Sequence, residues 1–121
     1  MLDDLKIEVI GDTVSWYSSG KIIELNIPNI GSALLDKNNN SIVVSILDGK
    51  YIKVVNVFDL LGNCLMELSE PEGFEFYYMQ SKQDLGVSIV CSSDKRIDGR
   101  LDWQFLIDYK TKSLYRHCPS Y

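Results

Sequence analysis

The pairs Gly11-Asp12, Ser19-Gly20, Asp48-Gly49, Gly62-Asn63 and Asp98-Gly99 each fall between two short runs of β-branched and aromatic residues. Gly, Asn, Asp and Ser are the residues that tolerate positive φ, which a tight hairpin demands. The runs themselves carry strand character: Lys6–Ile10, Thr13–Trp16, Lys21–Ile27, Ser41–Ile46, Tyr51–Phe58, Phe74–Tyr78, Val87–Cys91 and Trp103–Ile107. No stretch sustains a helical period. Gly31–Asp36 reads either as a helical turn or as a strand running into the Asn38-Asn39-Asn40 loop. The expected fold is therefore all-β, a hairpin-rich antiparallel meander in one domain spanning residues 1–121.

The turns also recur. Asp48-Gly49 and Asp98-Gly99 each precede a strand that ends on a hydrophobic-Asp step, Phe58-Asp59 and Ile107-Asp108, and a further turn and strand follow both. Trp16–Leu25 is a weaker third copy of that later hairpin. Four-stranded propeller blades repeat at a comparable period, but a propeller ring takes about four blades or more, and this chain holds two and a half. The expectation is blade-like sheets folded face to face as a β-sandwich or half-open barrel.

Charge is unevenly placed along the chain. The net charge is -5, the wrong sign for a protein that binds nucleic-acid phosphates through a long-range field. Residues 1–53 carry -2, residues 54–81 carry -5 and residues 82–121 carry +2. The middle segment has no Lys or Arg at all. It contains Glu67, Glu70, Glu72 and Glu75 among the aromatics Phe74, Phe76, Tyr77 and Tyr78. Strand alternation in Phe74–Tyr78 predicts Phe74, Phe76 and Tyr78 on the core face and Glu75 and Tyr77 on the solvent face. Trp16 and Trp103 read as core.

Catalytic chemistry has little to stand on. Cys64, Cys91 and Cys118 are odd in number and widely spaced, fitting neither a disulfide framework nor a zinc site. They read as small reduced hydrophobes. His117, the single histidine, neighbours Cys118 in sequence, and adjacent strand residues point to opposite faces, so the two are poorly placed as base and nucleophile. The glutamates around Pro71 and Gly73 read as a solvated loop and not as a buried catalytic pair. No calcium loop, phosphate-binding glycine loop or histidine cluster is present in the sequence, and the expectation is a chain without enzymatic activity, cofactor or metal. The acidic start of the chain and the lack of a long apolar run point to a cytoplasmic protein with no membrane association.

What remains is a candidate partner-binding surface made of Glu67, Glu70, Glu72, Glu75 and Tyr77. An acidic field speeds encounter with a basic partner, and an aromatic ring can anchor it. In size, sign and all-β hairpin make-up the whole chain resembles the small cytosolic immunity proteins by which bacteria neutralise nuclease toxins, notably those of contact-dependent growth inhibition systems. That resemblance implies a non-enzymatic inhibitor that binds a cognate basic toxin and covers its active site, with no nucleic-acid contact of its own. The other reading is a non-catalytic β-structured scaffold or protein-interaction module.

Overall fold

The computed structural model describes residues 5–120. Among these residues eleven strands form three antiparallel sheets, each a meander in chain order. The first sheet holds β1 (Glu8–Ile10), β2 (Thr13–Ser18) and β3 (Lys21–Asn26). The middle sheet holds β4 (Ile30–Asp36), β5 (Ser41–Asp48), β6 (Tyr51–Asp59) and β7 (Cys64–Leu68). The third holds β8 (Phe74–Lys82), β9 (Gly86–Ile97), β10 (Arg100–Asp108) and β11 (Ser113–Pro119). Among the described residues there is no helix, so Gly31–Asp36 belongs to a strand.

The turn chemistry explains the hairpins. Ser18 pairs with Lys21 and Ile97 with Arg100, leaving two-residue loops in which both residues have positive φ: Ser19 and Gly20, Asp98 and Gly99. That is the type I′ turn, whose twist matches the right-handed twist of the strands it joins.

The sheets stack face to face. Ile42, Val44 and Phe58 on one face of the middle sheet pack with Val14 and Trp16 of the first. Val43, Val55, Val57 and Met66 on its other face pack with Phe76, Ile89, Cys91, Trp103 and Phe105 of the third. Because both its faces are covered, β5 has no polar side over Ser41–Ser45, and all five residues are buried. The non-alternating run Ile42-Val43-Val44 is the sequence signature of that double burial. The Trp16 indole also donates to the Leu60 carbonyl at 2.9 Å, tying the first sheet to the middle one.

The repeat is structural. The second and third units are four-stranded meanders, and the first has three strands. Asp59 and Asp108 each close the following turn by accepting backbone amides. Asp59 Oδ1 accepts the Leu61 and Asn63 amides, both at 2.9 Å, and Asp108 Oδ1 accepts those of Lys110 and Thr111 at 2.9 and 3.2 Å. Slight burial pushes the Asp59 carboxyl up, but the hydrogen bonds from Asn63, Leu61 and Gly62 outweigh it and hold it below the ordinary value. Asp108 is lowered by the amides of Thr111 and Lys110.

One polar tie crosses the core. Asp36, only 2% exposed, ends β4 and presents Oδ2 to the Tyr109 hydroxyl at 2.8 Å and to the Asn39 side-chain amide at 3.1 Å. Its Oδ1 has no hydrogen-bond partner and lies against Gly86, where a Cβ would collide with it.

Candidate partner-binding surface

β7 and β8 are edge strands of different sheets, and the segment from Ser69 to Gly73 carries the chain from one to the other. This crossing places the five sequence-derived residues. Glu67 lies on β7, Glu70 and Glu72 in the connection, Glu75 and Tyr77 on β8, and all five are exposed.

They do not form one patch. Glu70 and Glu75 line a groove of about 530 Å³ together with Asp48, Tyr51, Ile52, Lys53 and Phe76. Three carboxylates thus face one ammonium group, beside a tyrosine that is 74% exposed. Glu67 lines a separate hollow with Lys112 and Leu114, and Glu72 a third with Asp94, Lys95 and Ile97. The lysines that the segment lacks in sequence are returned by neighbouring hairpins, so the electronegative centre is the Asp48, Glu70 and Glu75 groove.

Glu70 has a second task. Its Oε2 accepts the Phe76 amide at 2.9 Å, occupying a donor on an edge strand that would otherwise be open to another chain. The Glu70 charge is also felt at the core thiol: burial first, and that charge second, push Cys91 up to about 12. Cys91 is therefore a neutral core thiol, while Cys64 is exposed and Cys118 half-buried. His117 is exposed on β11.

The register of β8 shifts between Phe76 and Tyr78, and this changes the alternation. Phe76 pairs with Cys91 toward the core, but Tyr78 pairs with Val90 on the outer face, and Met79 takes the next core position opposite Ile89. The expectation that Tyr78 is a core ring is corrected by this bulge, because one extra residue transfers the following side chains to the other face. Tyr77 and Tyr78 are both exposed and meet edge to face at 5.0 Å. Phe74 and Phe76 are inward as expected, Phe74 packing edge to face on Phe105 at 4.8 Å.

Sequence reasoning missed Asp48, Tyr51 and Tyr78. Asp48 and Tyr51 flank the turn at Gly49 and enter the groove only through the stacking of the middle and third sheets. Comparison with protein-family models, curated proteins and solved structures finds no significant match to this chain.

Proposed function

We propose that this protein is an immunity protein that binds a basic toxin, a nuclease, through the β7–β8 side of the stack and covers its active site. The observation that carries the reading is the groove in which Asp48, Glu70 and Glu75 converge beside the exposed Tyr51. A nuclease must present Lys and Arg to its phosphate substrate, and those side chains are the natural ligands of such a groove. The charge draws the partner in, and Tyr51, Tyr77 and Tyr78 offer rings with few rotamers to lose on ordering. The protein needs no catalytic group for this role, only a rigid surface, which the stacked sheets supply.

The experiment is affinity capture from the native host with the parent protein and an Asp48→Lys, Glu75→Lys variant, followed by identification of the captured protein and assay of its nuclease activity. The reading expects one captured basic protein, lost with the variant, whose nuclease activity falls stoichiometrically as the parent is added. A captured partner with undiminished activity would instead support the scaffold reading.

A further inference from the structure

We infer that Glu70 is the positioning residue of the groove: its bond to the Phe76 amide fixes the wall from which Glu75 meets the partner. This role rests on the partner reading proposed above, and within it Asp48 and Glu75 supply the contacting charge.

The run Glu70-Pro71-Glu72-Gly73-Phe74 builds the bond. A residue that precedes proline is held extended, which applies to Glu70. Pro71 to Phe74 then close a turn, in which the Phe74 amide donates to the Pro71 carbonyl at 3.0 Å and Gly73 has a φ of +83°. Positive φ at the third position is the type II geometry, which glycine adopts without strain. The turn reverses the chain and brings Phe76 back beside Glu70, whose Oε2 accepts its amide at 2.9 Å. Both ends of the reversal are anchored in the core. Leu68 and Phe76 are buried, and Phe74 packs edge to face on Phe105. Glu72, at the tip of the same turn, lines the hollow with Asp94 and Lys95 and takes no part in the groove.

The groove has two walls. Asp48, Tyr51, Ile52 and Lys53 come from the β5–β6 hairpin of the middle sheet, and Glu70, Glu75 and Phe76 from the connection and β8. Within the second wall, the Glu70 carboxylate ties the connection to β8. The side chains of Asp48 and Glu75 make no hydrogen bond or ion pair among the described residues, so both are open to a cation. Glu70 is different, because one of its oxygens already serves its own chain. A partner that drew it away would strip the Phe76 amide of its acceptor. Two carboxylates thus make the contact, and the third sets where one of them stands.

The test compares Glu70→Gln with Glu70→Ala. Both remove the same charge, but Gln keeps an acceptor oxygen for the Phe76 amide, so a difference between the two variants reports position and not charge. In the free protein, followed by NMR, Phe76 should exchange its amide hydrogen about fivefold faster in the Ala variant than in the Gln variant, the protection given by one hydrogen bond of ordinary strength. The Glu75 and Tyr77 amide shifts should move in the Ala variant and stay near the parent's in the Gln variant. With the basic protein captured from the host, the two variants should associate at the same rate, whereas the Ala variant should dissociate about fivefold faster. Equal exchange in the two variants overturns the inference, and so does equal dissociation from the captured protein. Capture of no basic protein would count against the partner reading, while the exchange comparison on the free protein still decides whether Glu70 holds the wall.

Discussion

The Tyr109 hydroxyl donates a 2.8 Å hydrogen bond to Asp36 Oδ2 across 73 positions of sequence, joining the end of β4 to the last hairpin turn of the third sheet. Asp36 is a buried carboxylate with one oxygen lacking any donor, so each donor it does have counts heavily. Tyr109→Phe should cost about 1 kcal/mol or somewhat more, because it takes one of two donors from a buried carboxylate oxygen and leaves Asn39 alone on it. The measurement is urea unfolding, in which the midpoint should fall with the slope unchanged. Gly86→Ala should cost more, because its φ of +79° disfavours a side chain and the added Cβ meets Asp36 Oδ1. A Gly86→Ala protein as stable as the parent would show that the turn can move away from the carboxylate.

Alkaline pH should destabilise the fold through two identified groups. Burial pushes Cys91 from its ordinary 9.0 up to about 12. Tyr109 is raised well above its ordinary 10.0, by burial first and then by its hydrogen bond to Asp36. Both folded-state values lie above the unfolded ones, so their contribution is fully present below about pH 9 and is lost as pH rises toward the folded values. Stability measured from pH 8 to 11 should fall steadily. Cys91→Ala should be less stable at pH 8 but show a shallower decline. An equal slope in parent and variant would remove Cys91 from the account.

Glu70 and Glu72 are two residues apart and should behave differently. Glu70→Ala frees the Phe76 amide on the edge of β8 and should cost about 1 kcal/mol, the typical net worth of one hydrogen bond. Glu72→Ala, exposed in the connection and without a comparable bond in the structure, should fall within about 0.5 kcal/mol of the parent. Thermal unfolding of the pair separates the cases, and equal midpoints would mean that the Glu70 contact contributes nothing in solution.

The all-β class, the hairpin turns and the repeat were legible because they are local: period-two runs, turn residues that accept positive φ, and the recurring strand-end aspartates. The third layer could also be sensed in Ile42-Val43-Val44, an apolar run without alternation, although the expectation stopped at a sandwich or half-open barrel. Tyr78 was illegible because a bulge depends on the pairing between strands, which alternation within one strand does not contain. The candidate surface was legible as a list of exposed residues but not as a grouping. Glu67, Glu72 and the Glu70–Glu75 pair are separated by which hairpin happens to face each of them, and Asp48 and Tyr51 arrive from about 20 positions upstream in sequence through sheet stacking.

The most direct test of the central claim is the association rate of the captured basic partner with the parent and with the Asp48→Lys, Glu75→Lys variant, followed by stopped flow across a range of salt concentrations. These two positions leave the Glu70 bond to Phe76 in place, so the fold of β8 is retained. If the groove steers the partner, the parent's rate should fall steeply as salt is added, and the variant should bind at least tenfold more slowly at low salt with a nearly flat salt dependence. Equal rates and equal salt slopes for the two proteins would contradict the account and move the contact surface away from the β7–β8 groove.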